Sequence, residues 1–313
     1  MTIIDMHAHI AHGPLLHSHF LQGMKDMLTS QITQDYGVDL RPGLLERIAA
    51  RRLNDPDCSQ LLAEMDAAGI AKTVLLIADF GFGHDESELD LEAMYEQYYA
   101  VLKANPDRFI VFGGTDPRRG GWALDLFEHG LRDLGFRGLK LYPACGYEID
   151  DAALYPYYEI CERYGVPVLL HTGPSLSTMR GDQRYPASIL ETARRFAQVN
   201  FVLGHAAFQN FDTNLSVACQ RRNVFLETSG FQRLIDRRDE IKQRLAVVFD
   251  RVPEQVVFGT DWPVFNIRGT QRDWVTYFLD LGVLEESQTE RLFHRNALAA
   301  LGNASEPVHT PPP

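Results

Sequence analysis

The chain has 313 residues, of which 45% are hydrophobic, and this is enough for a single (β/α)8 barrel or for two smaller domains. Its net charge of −12 argues against nucleic acid and anionic membrane surfaces as main partners, so the expected partner is a small molecule. Because the sequence shows neither a signal-peptide pattern nor a run long enough to span a bilayer, and its four cysteines form no closely spaced pair, we expect a cytoplasmic protein with reduced thiols.

The first predicted element is a short apolar strand that runs directly into two histidines. Side chains alternate between the two faces of a strand, so Asp5, His7 and His9 point in one direction. Two imidazoles side by side at a strand end can supply two ligands to Zn²⁺, each at about 2.0–2.1 Å. The spacing alone is weak evidence because it recurs at His17 and His19, but only the first pair follows an apolar strand. The first pair therefore indicates half of a metal site.

The rest of the chain alternates helical and apolar segments. A long connection follows strand 1, and two helical patterns come next, near 43–53 and 57–69, the second ended by Gly69 at a position typical of a helix C-cap. Buried strands are predicted at 73–78, 108–113, 136–142, 167–171, 201–205, 224–228 and 256–261. Helices are predicted near 86–104, 121–134, 151–164, 186–198, 212–221, 233–249, 270–281 and 286–301.

This alternation predicts an α/β protein, a (β/α)8 TIM barrel with a long helical insertion after strand 1. A doubly wound open sheet would carry a glycine-rich phosphate-binding turn after its first strand, whereas this chain has His7-Ala8-His9 there. The sequence contains no recognisable linker, so we predict one domain over residues 1–302. The tail 303–313 ends in three prolines and is predicted to be disordered.

Polar residues stand at the carboxyl ends of several predicted strands, which is where barrels of this class have their active sites. They are His7 and His9 after strand 1, Lys140 after strand 4, His171 after strand 5, His205 after strand 6 and Asp261 after strand 8. In strands 5, 6 and 8 the polar residue shares a face with apolar residues that would fill the barrel. A buried imidazole or carboxylate is costly unless it is bonded, so their convergence indicates a shared divalent cation with an open coordination position.

Taken together, five motifs make the chain resemble the amidohydrolase superfamily, in particular its ACMSD-like branch of metal-dependent barrels. They are Asp5-Met6-His7-Ala8-His9, Gly138-Leu139-Lys140-Leu141-Tyr142-Pro143, His171-Thr172-Gly173, Leu203-Gly204-His205 and Gly259-Thr260-Asp261-Trp262-Pro263. The resemblance implies that His7, His9 and His171 are ligands of one divalent ion. It also implies that Asp261 is a ligand or general base, and that His205 acts on the attacking water or on the substrate.

Lys140 leaves two alternatives open. In binuclear relatives a lysine at the end of strand 4 is carbamylated and bridges two metals, and His205 is then also a ligand. Otherwise Lys140 forms an ion pair inside the barrel, for which Glu227 in strand 7 is a candidate. Mononuclear relatives also carry a lysine in this segment, so we predict one metal and an unmodified Lys140. Zn²⁺ is the expected metal, and Mn²⁺ or Fe²⁺ would also suit the site.

The resemblance implies an enzyme, and two reaction classes fit. In a hydrolase, metal-activated water attacks the carbonyl of an ester, lactone or amide, while Asp261 accepts the proton and His205 polarises the carbonyl. In an ACMSD-like decarboxylase or hydratase, the metal instead holds the carboxylate and hydroxyl of an aromatic or enol acid. We rank the hydrolase first. A barrel that has lost catalysis is a third hypothesis, which the intact ligand set disfavours.

The sequence also offers candidates for substrate binding. Arginines in loops at the catalytic face could bind a substrate carboxylate, and Arg180 and Arg184 after strand 5 are singled out. The other arginines in such loops are Arg118, Arg119, Arg233 and Arg268. Tyr142, Phe231 and Trp262 are candidate apolar walls for a ring-shaped substrate, with ordinary packing as the alternative. The resemblance suggests a homodimer.

Overall fold

The structure, a computed structural model, describes residues 1–38, 41, 43–82, 87–173, 175–179 and 187–302. Three sequence predictions lie outside the described residues. They concern Arg180, Arg184 and the tail 303–313.

Eight parallel strands form the centre of the fold, and each pairs with its neighbour along the chain. They are β1 (Ile3–Ala8), β2 (Ile70–Leu76), β3 (Phe109–Gly114), β4 (Leu139–Leu141), β5 (Val168–His171), β6 (Phe201–Gly204), β7 (Val224–Glu227) and β8 (Val256–Val257). Nearly every strand residue is buried, as expected of a parallel sheet that is covered on both faces.

Backbone hydrogen bonds between the two ends of the sheet close it into a barrel. The N–H of Met6 in β1 donates to the carbonyl of Phe258 at 2.9 Å, and the N–H of Asp261 donates to the carbonyl of His7 at 2.7 Å. The predicted strand at 256–261 contains only two residues of regular strand, because the residues after β8 bond to β1 as a less regular segment. The TIM barrel predicted from the sequence is confirmed.

The helices follow the strands in the predicted alternation. They are α1 (Ser18–Tyr36), α2 (Leu44–Arg52), α3 (Ser59–Ala68), α4 (Leu91–Ala104), α5 (Gly121–Arg132), α6 (Tyr155–Tyr164), α7 (Ala187–Arg195), α8 (Phe211–Gln220), α9 (Arg238–Arg251), α10 (Gln271–Leu279), α11 (Glu286–Glu290) and α12 (Asn296–Leu301), with a π-helical turn at Arg291–Arg295. Short 3-10 helices lie at Gly13–Leu15, Pro117–Arg119, Pro143–Cys145, Ala152–Leu154, Phe231–Leu234 and Val264–Ile267. A two-residue antiparallel pair joins Ala11–His12 to Asn54–Asp55.

The insertion after β1 contains a helix that was not predicted from the sequence. Helix α1 occupies the region predicted as a connection, and His17 begins it: its Nδ1 accepts a hydrogen bond from the backbone N–H of Phe20 at 3.1 Å. The helix also packs closely on the segment after β5, where the hydroxyl of Thr178 donates to the carbonyl of His19 at 2.7 Å. A Cβ atom at Gly23 would lie 2.4 Å from the oxygen of that hydroxyl. Helix α1 is thereby held against the carboxyl end of the barrel.

The barrel interior is tightly filled. A Cβ atom at Gly114 would lie 1.7 Å from the carbonyl oxygen of Ile77, so the approach of these two backbone segments requires glycine.

Within the described part of the chain, no helix combines the length and the apolar character needed to cross a membrane.

Candidate metal centre

The polar residues predicted at the strand ends converge at the carboxyl end of the barrel. The side chains of His7, His9, Lys140, His171, His205 and Asp261 all line one cavity there. His205, directly after β6, and Asp261, in the irregular segment that follows β8, have positive φ angles of 64° and 53°. This left-handed conformation is uncommon outside glycine and costs about 1–3 kcal/mol, which is typical of residues at functional sites.

His7, His9 and Asp261 have a geometry that suits a metal ion. Their potential ligand atoms lie within 4.8 Å of one another. The Nε2 atoms of both histidines are 3.5 Å from Asp261 Oδ1. Two ligand atoms that each lie about 2.1 Å from one tetrahedral ion are about 3.4 Å apart. The three residues are therefore placed where they could hold a divalent cation.

The other ring nitrogen of each histidine supports the same interpretation. His9 Nδ1 lies 2.8 Å from the carbonyl oxygen of Leu76, which can only accept, so this nitrogen carries the proton. His7 Nδ1 lies 3.0 Å from Glu227 Oε2 and donates to that carboxylate. In both rings the lone pair is then on Nε2, the atom that faces Asp261. Metal-binding histidines are characteristically oriented in this way by a carbonyl or a carboxylate.

Glu227 is the acceptor that organises this part of the site. The residue is fully buried at the end of β7, and its Oε2 accepts from His7 Nδ1 at 3.0 Å, from the Ser229 hydroxyl at 2.6 Å and from the His205 N–H at 3.0 Å. Its Oε1 accepts a short hydrogen bond from the Ser229 N–H. From the sequence, Glu227 was a candidate only for an ion pair with Lys140, although its place at a strand end was a signal for a role in the site.

Ser229 determines which nitrogen of His205 carries a proton. Its single hydroxyl proton goes to Glu227, so its oxygen accepts from His205 Nδ1, 2.8 Å away. The lone pair of the neutral His205 ring is then on Nε2. This atom is 3.2 Å from His171 Nδ1 and 4.0 Å from Asp261 Oδ2. His205 lies beside the cluster of His7, His9 and Asp261. His171 lines the cavity next to His205.

Asp5 holds the strand that carries the two histidines to the segment that carries Asp261. Its buried carboxylate accepts from the Thr260 N–H at 2.9 Å, the Thr260 hydroxyl at 2.6 Å, the Gln271 amide at 3.0 Å and the His7 N–H at 3.1 Å. Burial raises the pKa of Asp5 to about 7, although these hydrogen bonds favour the ionised form. Asp5 therefore positions residues of the site without lining the cavity.

The charges of the site are consistent with metal binding. Burial lowers the pKa of His9 to about 3 and holds the pKa values of His7 and His205 well below their usual range. These imidazoles are thus neutral at pH 7, the form that binds a metal. Burial also raises the pKa of the Asp261 carboxyl and lowers the pKa of Lys140. A divalent ion between the ligands would counter the rise in the Asp261 pKa, because its positive charge favours the ionised carboxylate.

The cavity above these residues has a volume of about 580 Å³ and a largely aromatic wall near the candidate ligands. The Tyr142 ring stacks on His171 with centroids 4.1 Å apart and meets Phe80 edge-on at 4.7 Å. Phe231 and Trp262, predicted as apolar walls, do not line the cavity among the described residues. Both are buried in the core, where Phe231 packs 6.0 Å from the Phe278 ring. The two side chains therefore pack in the core, which was the alternative to a place in the cavity wall.

The loop arginines differ in their surroundings. Arg118 pairs with Asp116 at 2.6 Å, and Arg119 pairs with Asp79 at 2.6 Å, so both hold loops together. Arg233 lines the cavity, as does Arg52 of α2, which the sequence analysis did not single out.

The family model for amidohydrolases matches residues 4–302 of this chain. Among curated proteins, the 2-amino-3-carboxymuconate-6-semialdehyde decarboxylase of Dictyostelium discoideum is 27% identical over 122 residues. That alignment covers 37% of this chain and 33% of the relative, so the chain matches about a third of the relative's length.

Solved structures share the whole fold at low identity. An uncharacterised TIM-barrel protein from Bordetella bronchiseptica has a TM-score of 0.67 and 22% identity, with coverage of 98% of this chain and 100% of that chain. A dihydroxybenzoic acid decarboxylase from Polaromonas sp. JS666, solved with bound manganese and the inhibitor 2-nitroresorcinol, has a TM-score of 0.65 and 15% identity, with coverage of 96% and 97%. These matches establish a common barrel architecture.

Proposed function

Because the chain belongs to the amidohydrolase family, we propose that it is a metal-dependent, non-oxidative decarboxylase of an aromatic or enolic carboxylic acid. The hydrolase ranked first from the sequence uses the same family fold. The names of two similar proteins support the decarboxylase instead. One is a 2-amino-3-carboxymuconate-6-semialdehyde decarboxylase, and the other is a dihydroxybenzoic acid decarboxylase. The cavity supplies a second and independent reason.

The observation that carries the proposal is the buried amine of Lys140. Its side chain lines the cavity, the residue is 1% exposed, and Nζ makes no hydrogen bond to any described residue. A buried ammonium is costly without an anionic partner, and a substrate carboxylate or an adjacent phenolate would be that partner. The carboxyl groups of Asp261 and Glu227 act on Lys140 electrostatically, but neither accepts a hydrogen bond from Nζ, so a substrate anion would supply the missing contact. An acidic substrate is therefore favoured.

His7, His9 and Asp261 would hold the divalent ion, with His171 as the fourth protein ligand. When bound, this ion would supply positive charge that binds the acid group of the substrate and the oxygen next to it. Zn²⁺, Mn²⁺ and Fe²⁺ all suit imidazole and carboxylate ligands, and manganese is bound in one of the similar structures. Tyr142, stacked on His171, would support the substrate ring.

Asp261 is the proposed proton donor. Its Oδ1 faces His7 and His9, while its Oδ2 faces His205, so the second oxygen is available to carry a proton. The carboxyl group would protonate the substrate carbon that bears the carboxylate. The bond between the two carbons then breaks, its electron pair returns to the ring, and CO₂ leaves. Asp261 regains its proton from water, and no oxidant or reductant is needed.

A panel of substrates tests the reaction class. Purified protein loaded with Mn²⁺ or with Zn²⁺ is incubated with hydroxybenzoic and enolic acids on one side and with aryl esters and lactones on the other. We expect CO₂ release from the acids and, in D₂O, one deuterium at the carbon that lost the carboxylate. Asp261→Asn serves as the inactive control. Ester or lactone hydrolysis without CO₂ release would favour the hydrolase and overturn the proposal.

The number of metal ions and the assembly state belong to the same proposal. Elemental analysis should find one ion per chain, since an unmodified Lys140 leaves no bridge for a second. Two ions per chain would instead indicate a carbamylated Lys140 with His205 as a ligand. We also propose a homodimer, which light scattering of the purified protein would detect.

A further inference from the structure

The candidate active-site cavity is larger than a single-ring acid requires. Its volume is about 580 Å³, whereas a protein cavity of roughly 150 Å³ already accommodates benzene. The metal ligands and Lys140 line it at the strand ends, and residues of the insertion that contains α1 and α2 line it as well. We call the part lined by the insertion the outer compartment.

One wall of the outer compartment is an apolar stripe on α1, formed by Phe20, Leu21, Met24, Met27 and Leu28. Their spacing places these side chains on one face of the helix. None of them is fully buried; Phe20, Met24 and Met27 pack partly against the hydrophobic core, and all five line the cavity. The stripe therefore faces the cavity, and its two methionines are side chains that adapt to the shape of a ligand.

The opposite walls are apolar as well. Helix α2 contributes Ile48, the residue after it is Leu53, and the loop after β8 contributes Val264 and Phe265. The compartment is continuous with the metal centre, since all of these residues line the same cavity as His7 and Asp261. Its lining would release water to an apolar ligand group.

Besides Lys140 and Asp261, four charged residues line the cavity: Lys25, Glu46, Arg52 and Arg233. Lys25 of α1 forms an ion pair with Glu46 of α2, and both side chains are about half exposed, at 42% and 52%. This pair joins the two helices and neutralises its own charge, Arg233 contacts Met27 Sδ at 3.4 Å and the Phe208 ring, and Arg52 is exposed at the end of α2. The side chains between these charged groups are apolar, so the compartment favours an apolar ligand group.

We propose that the substrate is an aromatic or enolic acid that carries an apolar extension, such as an alkyl chain of several carbons or a second ring, bound in the outer compartment. This inference rests on the proposed function for the acid end of the molecule. The chemistry occurs at the metal end, and the stripe on α1 selects the substrate by its extension.

A homologous series measures the selection directly. Isothermal titration calorimetry of the metal-loaded protein compares 2-hydroxybenzoate with its 4-methyl, 4-propyl and 4-pentyl derivatives, and CO₂ release is followed in parallel. Each methylene that becomes buried should tighten the Kd by about threefold to fourfold until the compartment is full. A Kd that does not change along the series, or that weakens, would overturn the inference.

Two tryptophan variants locate the effect. Met24→Trp fills the outer compartment, so the gain from the pentyl chain, taken as the ratio of the Kd values for 2-hydroxybenzoate and its 4-pentyl derivative in the same variant, should disappear. Ser30→Trp introduces the same side chain at an exposed position of α1 that does not line the cavity, and it should leave the whole series unchanged. Equal effects of the two variants would contradict a role for the stripe.

The two readouts separate this inference from the proposed function. Tighter binding along the series without any CO₂ release would keep the compartment and reject the decarboxylase. Turnover of 2-hydroxybenzoate with no gain along the series would keep the decarboxylase and reject the compartment. If the Kd does not tighten along the series and Met24→Trp dissociates a dimer, the stripe is instead part of a subunit interface. Absence of binding by every homologue would overturn both.

Discussion

Replacing Glu227 by glutamine tests how one buried carboxylate organises the candidate metal centre. The two carboxylate oxygens accept four hydrogen bonds, from His7, from the His205 N–H and from two groups of Ser229. A glutamine has one accepting oxygen and one donating NH₂ group. If its oxygen takes the place of Oε2, its NH₂ group faces the Ser229 N–H, and the opposite orientation is worse because three donors then face the NH₂ group.

Two effects follow from this geometry, and each has a magnitude. At least one buried donor loses its acceptor, which should lower the free energy of unfolding of the metal-free protein by about 1–3 kcal/mol. His7 also exchanges a charged acceptor for a neutral one, so its Nε2 becomes a weaker and less well oriented ligand. Replacing such partners of metal ligands typically weakens metal binding by about 10–100-fold.

The assay combines two measurements on the Glu227→Gln variant. Urea denaturation of chelator-treated protein reports the free energy of unfolding, and competition with a chromophoric chelator reports the Kd for Zn²⁺ or Mn²⁺. Asp116→Asn is the matched control, because Asp116 is also fully buried and pairs with Arg118 but does not line the cavity. It should lower stability and leave the metal Kd unchanged.

The two variants together decide the outcome. A metal Kd for Glu227→Gln within about twofold of that of the natural protein would refute the argument that Glu227 orients His7. The same would hold if Asp116→Asn weakened metal binding equally, because the effect would then report general destabilisation.

Three further predictions concern the same centre. In Gly259→Ala the new Cβ would lie 2.1 Å from Glu227 Oε1, so the free energy of unfolding should fall by about 1–3 kcal/mol and metal binding should weaken, as the two assays above would show. Asp261→Asn should abolish CO₂ release without lowering the melting temperature, since burial penalises the charged form; an active variant would remove Asp261 from the mechanism. The pKa of His9 is lowered from 6.5 to about 3, so the unfolded chain binds the extra proton below pH 6.5. The metal-free protein should therefore lose about 1.4 kcal/mol per pH unit for this histidine between pH 6 and pH 4. Urea denaturation of the natural protein and of His9→Gln across that range checks this: equal pH slopes in the two proteins would contradict the reasoning, because Asp5 and the other buried groups titrate in both.

The barrel was predictable from local patterns in the sequence. Buried parallel strands are largely apolar runs, and the strand segments can be recognised as such, although Lys140 interrupts β4 and Asp5 and His7 interrupt β1. Helix α1 was not predicted because its apolar stripe is short and lies between polar residues on a helix with little overall amphipathic character. Its stripe faces a cavity, so the sequence lacks the stronger pattern that a core-packed helix would show.

The residues of the site were predictable only in part. His7, His9 and Asp261 were found because strand ends meet at one edge of a barrel, and the structure brings these three together. The choice of His171 as fourth ligand remains a prediction. Phe231 and Trp262 were misplaced because an aromatic residue after a strand can turn either into the cavity or into the core. That choice depends on backbone dihedral angles that residue types alone do not specify.

The sequence by itself determined the alternation of strands and helices, and hence which polar residues would meet at the carboxyl end of the barrel. Only the tertiary structure decided how those residues are used. Glu227 accepts from His7 across 220 positions of the chain, and Asp5 bonds to Thr260 across 255. Such contacts depend on the closure of the barrel and on its register. The same holds for the outer compartment, whose walls come from α1, α2 and the loop after β8, because local sequence cannot specify a volume enclosed by distant segments.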